Sequence, residues 1–234
     1  MTRDTMSDQT EIIAALGVGA EFSAAIETRR RVDFLKHYLE ASGLAAFVLG
    51  ISGGVDSLTT ALLAMQAVRE LRERGHNARF AAVRLPYGVQ ADERDAREAL
   101  AAIAPDVTYT VNIKPAADAM LATLKAGAVP FADAAQEDFL LGNIKARQRM
   151  IAQFAIAGAI RGLVIGTDHA AEAVMGFFTK YGDGAADILP LAGLNKRRVR
   201  AIAAHLGAPV ALVRKVPTAD LECPSSGILG QLAA

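Results

Sequence analysis

The chain has 234 residues, of which 52% are hydrophobic and 21% charged, and its 25 Lys and Arg residues balance 25 Asp and Glu residues. The high hydrophobic share excludes a disordered chain, and a formal net charge of zero lacks the basic excess that would indicate a nucleic-acid partner. No apolar run approaches the roughly 18 residues that cross a bilayer, and no apolar leader opens the chain, so we predict a cytoplasmic protein with no membrane partner.

Predicted helices and strands alternate along the chain from residue 21. In chain order, the spacing of apolar residues predicts a helix over 21–42, a strand over 45–50, a helix over 55–74, a strand over 78–85, a helix over 92–103, a strand over 107–113, helices over 115–125 and 136–161, a strand over 163–166 and a helix over 195–206.

The strands are short, continuously apolar runs, which favours a parallel sheet buried on both faces by the intervening helices. With right-handed crossovers this is an α/β fold with a doubly wound parallel sheet. No linker or internal repeat interrupts the pattern. We therefore predict one domain over residues 1–234, with a flexible segment over residues 1–20.

A glycine-rich segment, GISGGVDS, joins the first strand to the following helix over residues 50–57. Glycines allow the backbone to approach a ligand closely, and the start of the helix attracts anions. Ser52 and Ser57 add hydroxyl donors, whereas Asp56 would repel a phosphate unless a divalent cation lay between them. The pattern indicates phosphate binding; a plain strand-to-helix turn, with Asp56 favouring the helix start, is the alternative. The segment contains neither the GxxxxGK[ST] pattern of a Walker A loop nor the GxGxxG pattern of a dinucleotide-binding fold.

SGGVDS resembles the pyrophosphate loop of the ATP pyrophosphatases, and further segments resemble the ammonia-dependent NAD synthetases. In order these are RLPYGVQADE (84–93), GNIKARQRM (142–150), GTDHAAEA (166–173), GFFTKYGDG (176–184), LNKR (194–197) and PTADL (217–221). The resemblance covers residues 21 to 221. It implies a Rossmann-like fold of the adenine nucleotide alpha hydrolase type, and a ligase in which ATP adenylates deamido-NAD, pyrophosphate leaves and ammonia attacks to give NAD, with Mg²⁺ as cofactor.

The resemblance also implies roles for individual residues and a homodimer that pairs through helices around residues 150–160. Asp56 and Glu172 would bind the metal; Arg147, Lys180 and Asp187 would bind deamido-NAD. The residues expected to bind ATP are Gly50, Ile51, Ser52, Gly53, Gly54, Val55, Asp56, Ser57, Thr167, Lys196 and Thr218, with Arg84 as a further candidate near ATP.

Several of these residues also have a purely structural interpretation. Glu172 suits the first turn of a helix, Thr167 suits a helix N-cap, and Arg147 could lie on the solvated face of its helix. Lys196 is less easily explained in this way, because a cation in a first helical turn opposes the helix dipole. His169 is assigned no catalytic role, since a lone histidine is more often structural.

Two alternative functions remain open. Another ATP pyrophosphatase is one, although a single cysteine, Cys223, disfavours a sulfurtransferase and the length leaves no room for a glutamine amidotransferase domain. Free ammonia is therefore the expected nitrogen donor.

The last residues, LECPSSGILGQLAA (221–234), depart from the family's longer pattern. From this departure we expect weak deamido-NAD binding. An inactive, truncated nucleotide-binding homologue is the corresponding alternative.

Overall fold

The computed structural model describes residues 5–88, 93–176 and 178–215. Its strands are β1 (Ala46–Gly50), β2 (Arg79–Arg84), β3 (Val107–Thr110) and β4 (Gly162–Val164). Its helices are α1 (Thr5–Ala15), α2 (Ala24–Ser42), α3 (Val55–Glu73), α4 (Glu93–Ile103), α5 (Lys114–Ala126), α6 (Ala134–Ile160), α7 (Ala170–Met175), α8 (Lys196–His205) and α9 (Val210–Arg214). No helix among these residues is both long and apolar enough to cross a membrane.

The strands form one parallel sheet in the order β3-β2-β1-β4. The chain runs outward from β1 to β3 and then returns to the other side of β1, so the direction of winding reverses between β1 and β4. In open sheets of this kind, ligands bind beyond the carboxyl ends of the strands at such a reversal. The predicted doubly wound parallel sheet is confirmed.

Alternate side chains of the central strands enter two apolar layers on opposite faces of the sheet. Phe47, Leu49 and Phe80 pack in a layer that includes residues of α2, α3 and α8. On the opposite face, Val48 and Val83 pack in a smaller layer that includes Ala157 of α6. Burial on both faces explains why these strands read as continuous apolar runs.

The structure differs from the sequence prediction mainly near the two ends of the chain and at the end of β4. Helices α1 and α9 were not predicted; α1 exposes Ile12 and Ile13, and α9 has only five residues, so neither shows a clear apolar periodicity. The last strand, predicted to run to Gly166, ends at Val164. Ile165 still donates to the Val48 carbonyl of β1 at 3.0 Å, but it also forms a parallel bridge with Ile188, and the Gly166 amide donates to the Ile188 carbonyl at 2.9 Å, so the chain leaves β1 after Ile165.

An ion-pair network at the surface joins α2 to α3 around the buried Lys36. Lys36 Nζ lies 2.7 Å from both Asp33 Oδ1 and Glu70 Oε2, and its side chain is 3% exposed. Arg29 Nη1 lies 2.7 Å from Glu70 Oε1. The hydrogen bond from Arg29, partly opposed by burial, lowers the pKa of Glu70 to about 2. The carboxylate of Glu70 is thus stabilised by folding.

We expect Glu70→Gln to lower the free energy of unfolding at pH 7 by about 1–2 kcal/mol, because Lys36 loses one partner while Asp33 remains. Since the pKa of Glu70 is depressed, its contribution is complete above pH ~4.5 and is lost as the pH falls toward 2. Denaturant unfolding at pH 7, 4.5 and 3 should therefore show a shallower loss of stability in the variant. The exposed Glu73 of α3 provides the control, Glu73→Gln; acid profiles of equal slope in the Glu70 and Glu73 variants would contradict the prediction.

Candidate functional site

The glycine-rich segment forms a compact turn between β1 and α3. The Gly54 amide donates to Ser52 Oγ at 3.2 Å, Ser57 Oγ donates to the Gly54 carbonyl at 3.1 Å, and the two serine hydroxyls lie 3.3 Å apart. Gly53 has a φ of +84°, and a Cβ there would lie 2.9 Å from the Ala96 amide nitrogen of α4. The turn therefore requires glycine at this position, and it presents the amino-terminal end of α3 at the edge of the sheet, where anions are favoured.

Four ionisable side chains meet beside this turn. Lys196 Nζ, from the first residue of α8, donates to Asp56 Oδ2 at 2.5 Å. His169 Nε2 lies 3.5 Å from Asp56 Oδ1, from Glu172 Oε1 and from Lys196 Nζ. The structure thus brings together three residues predicted from the sequence, and adds His169, which is buried at their centre.

The two carboxyl groups of this cluster are in different electrostatic states. Burial alone would raise the pKa of Asp56, but contacts with His169 and Lys196 outweigh it, so the pKa is lowered. Burial, reinforced by the charge of Asp56, raises the pKa of Glu172 despite the opposing effect of His169. Contacts with His169 and Lys196 therefore favour the ionised form of Asp56, whereas burial disfavours the ionised form of Glu172.

The cluster fits a divalent cation. Asp56 Oδ1 is buried without a hydrogen-bond partner, and ligand atoms of Asp56, His169 and Glu172 lie within 4.8 Å of one another. Mg²⁺ prefers oxygen ligands and is usually bound through one or two carboxylates plus phosphate oxygens. Asp56 and Glu172 are accordingly the residues suited to hold it, and a cation there would supply the positive charge that Glu172 lacks.

Residues that follow β4 line another side of the site. Thr167 follows this strand and is half-buried, but it is not a helix N-cap, because α7 begins at Ala170 with His169 in the capping position. Burial, together with the nearby charge of Asp183, raises the pKa of Asp168. A Cβ on Gly184 would lie 2.7 Å from both carboxylate oxygens of Asp168. Asp168 has no role predicted from the sequence, because its burial is visible only in the folded structure.

The residues expected to bind deamido-NAD occupy a separate, more exposed part of the structure. Arg147 Nε donates to the Lys180 carbonyl at 3.2 Å, so α6 contacts the loop that carries Lys180. Lys180 Nζ lies 5.3 Å from the centroid of the Tyr181 ring. Asp187 Oδ2 accepts from the Val164 amide at 2.7 Å. Arg147 and Lys180 therefore meet directly, whereas Asp187 is attached to the end of β4.

Arg84 lies at the end of β2 with a buried guanidinium. Its Nη2 donates to Glu93 Oε2 at 2.9 Å, while Nε and Nη1 are buried without a hydrogen-bond partner. A buried cation with unsatisfied donors is costly unless an acceptor completes it. This supports Arg84 as a candidate contact for an anionic or acceptor-rich ligand. Thr218, with the segments 217–221 and 222–234, lies outside the described residues.

Comparison with known proteins gives consistent matches. Residues 27–227 match the family model described as NAD synthase. The NH(3)-dependent NAD(+) synthetase of Burkholderia lata is 63% identical over 219 residues, which cover 94% of this chain and 78% of the relative. The crystal structure of NAD+ synthetase from Burkholderia pseudomallei has a TM-score of 0.87 at 60% identity, covering 94% of this chain and 81% of that one. The NMN synthetase structure from Francisella tularensis has a TM-score of 0.74 at 34% identity, covering 87% of this chain and 79% of that one.

Proposed function

This chain belongs to the NAD synthase family, and we propose that it binds ATP and Mg²⁺ at the carboxyl ends of β1 and β4 to carry out that family's reaction. The enzyme is an ammonia-dependent ligase that forms NAD. ATP transfers its AMP group to the nicotinate carboxylate of deamido-NAD and releases pyrophosphate; ammonia then displaces AMP and leaves an amide. The similarities do not favour an inactive homologue or another ATP pyrophosphatase.

The meeting of Asp56, Glu172 and Lys196 beside a phosphate-type turn is the observation that carries this proposal. Backbone amides of residues 50–57 would bind the phosphates of ATP together with the start of α3. Asp56 and Glu172 would hold the metal, which when bound neutralises negative charge on the phosphates. Lys196 already donates to Asp56 and would share its ammonium group with a phosphate oxygen.

Deamido-NAD would bind near the junction of α6 with the loop after α7. Arg147 and Lys180 place two cations on this surface, where they can bind the pyrophosphate of a dinucleotide. Asp187 holds the same loop against β4 and leaves its other carboxylate oxygen for the ligand. We further propose that Thr167 and Thr218 contact ATP and that the reaction takes place in the cytoplasm.

The direct test is to assay NAD formation from deamido-NAD, ATP, Mg²⁺ and ammonium, with release of one pyrophosphate for each NAD. Glutamine free of ammonia should not replace ammonium. Exchange of labelled pyrophosphate into ATP should require deamido-NAD, because the adenylate forms on that substrate. Binding of ATP without any exchange would instead identify an inactive homologue. A preference for nicotinate mononucleotide over deamido-NAD would assign NMN synthesis, as in the Francisella tularensis relative.

We also propose that α6 mediates a homodimer. Its inner face packs on the sheet through Ala157, while Ile151 and Phe154 are 52% and 37% exposed on the outer face. Small residues, Ala155, Gly158 and Ala159, continue this exposed stripe at helical spacing. A contiguous apolar stripe on an otherwise polar surface is typical of a protein interface.

Light scattering should give a mass twice that of the 24.6 kDa chain. A charge on the outer face of α6, introduced by Ile151→Glu, should shift the mass toward the monomer, because an unpaired buried charge is unfavourable in an apolar interface. The control is Ile26→Glu, which places the same charge at a 69% exposed position of α2 and should leave the dimer intact. A monomeric wild-type protein would contradict the proposal.

A further inference from the structure

The β1–β4 ladder ends just before the phosphate turn. The Ile165 amide donates to the Val48 carbonyl at 3.0 Å, which is the last rung between these strands in the described part of the chain. The next residue pairs elsewhere, since the Gly166 amide donates to the Ile188 carbonyl at 2.9 Å. The ladder therefore has a gap beside the end of β1, where no β4 hydrogen bond follows among the described residues, at the reversal of the sheet where a ligand is expected.

Gly50 is left at the edge of this gap. In a parallel strand alternate residues bond to opposite neighbours. The Ile51 amide donates to Val83 of β2 at 2.8 Å, so the Gly50 amide points toward β4, from which the ladder gives it no acceptor. Gly50 is half-buried, and an amide held away from water without an acceptor is unfavourable, so this position needs a partner from elsewhere.

Gln153 of α6 supplies that partner. Its Oε1 accepts from the Gly50 amide at 2.7 Å, and the residue is only 3% exposed. It lies one helical turn before Ala157, in the inner face of α6 that packs on Val48 and Val164. An apolar residue would suit such a position better, because a buried amide is unfavourable unless it is hydrogen-bonded. The side chain therefore replaces a missing strand carbonyl.

The contact also depends on Gly50 having no side chain. A Cβ at this position would lie 3.1 Å from Gln153 Oε1 and 3.3 Å from its Cδ, closer than ordinary packing allows. The turn is thus fixed at two points: Gly50 by the carboxamide of Gln153, and Gly53 by its close approach to α4. Between these points lie the amides proposed to bind phosphate.

We infer that Gln153 is a positioning residue for ATP binding, acting through the Gly50 amide to set the geometry of the phosphate turn. This inference rests on the proposed binding of ATP by that turn. Gln153 does not itself touch the substrate. Its loss should impair the use of ATP much more than the use of deamido-NAD, whose proposed contacts are Arg147, earlier in α6, and Lys180 and Asp187 in the loop after α7.

The test is to compare Gln153→Met with the wild-type enzyme. Methionine fills a similar volume but provides no strong acceptor for the amide. We expect the KM for ATP to rise about tenfold or more, in line with the cost of an unsatisfied buried amide, and the KM for deamido-NAD to change less than about twofold. Calorimetric titration with ATP and Mg²⁺ should show the same loss of affinity without turnover.

Ala157→Gly is the matched control, since it weakens the helix on the same buried face of α6 without touching the turn. It should lower the melting temperature and leave the KM for ATP unchanged. If Gln153→Met also changes only the melting temperature, or raises both KM values equally, the inference is wrong.

Two milder variants keep the test decisive if Gln153→Met does not fold. Gln153→Asn withdraws the carbonyl by one methylene, and Gly50→Ala displaces the same contact from the other side. Either should raise the KM for ATP selectively; unchanged values in both would overturn the inference. A wild-type protein that does not bind ATP would refute the proposed function itself, which separates the two failures.

Discussion

Asp56→Asn and Glu172→Gln should each lower turnover by about 10²- to 10³-fold and raise the Mg²⁺ concentration required for half-maximal rate. Each substitution preserves the shape of the side chain but removes a negative charge, so a bound Mg²⁺ would be held less tightly among the phosphates. Loss of one group that stabilises developing charge typically costs that much in rate. For Asp56 the effect is compounded, because Lys196 loses the partner that now holds its ammonium group at 2.5 Å.

The metal requirement distinguishes this role from a general loss of structure. Rates should be measured over a range of Mg²⁺ concentrations with saturating ATP, alongside the melting temperature of each variant. Glu73→Gln, at the opposite end of the helix that carries Asp56, controls for a change of charge alone. A variant that retains wild-type turnover at limiting Mg²⁺ would show that its carboxylate is not a ligand.

The sequence predicted the centre of this site well because the signals there are local. The apolar run of β1, the glycine pair and the following helical periodicity place β1 and α3 within one residue of their observed bounds. Asp56 and Lys196 are 140 positions apart in the chain, and their meeting could be inferred only from the resemblance to a family. The parallel order of the sheet follows from the alternation of strands and helices.

The parts that sequence reasoning missed depend on contacts between distant segments. The end of β4 was placed at Gly166 because Ile165 is apolar, and nothing in that run indicates that it pairs with Ile188. Gln153 is a buried polar residue within the otherwise ordinary helix-forming sequence of α6, and His169 is a buried polar residue just before α7. Their roles depend on which backbone and side-chain atoms approach them, and periodicity carries no information about those neighbours.

Gly53→Ala should nearly abolish ATP binding while leaving most of the fold intact. Gly53 has a φ of +84°, and an added Cβ would lie 2.9 Å from the Ala96 amide nitrogen and 3.1 Å from the Asp95 carbonyl carbon. Alanine in a left-handed conformation costs about 1–2 kcal/mol, and contact with backbone cannot be relieved by turning a side chain. The turn would have to move away from α4, which displaces the amides that follow it.

Gly75→Ala separates the effect of backbone strain from the effect of the collision with α4. Gly75 has a similar φ of +86°, but a Cβ there meets nothing within 4 Å, so that variant carries the backbone strain without the collision. Both variants should lose similar stability from strain, yet only Gly53→Ala should lose affinity for ATP, by about 10²-fold or more, because several phosphate contacts depend on one turn. Calorimetry with ATP and Mg²⁺ measures this difference. Equal ATP affinity in the two variants would show that the approach of Gly53 to α4 does not set the shape of the phosphate site.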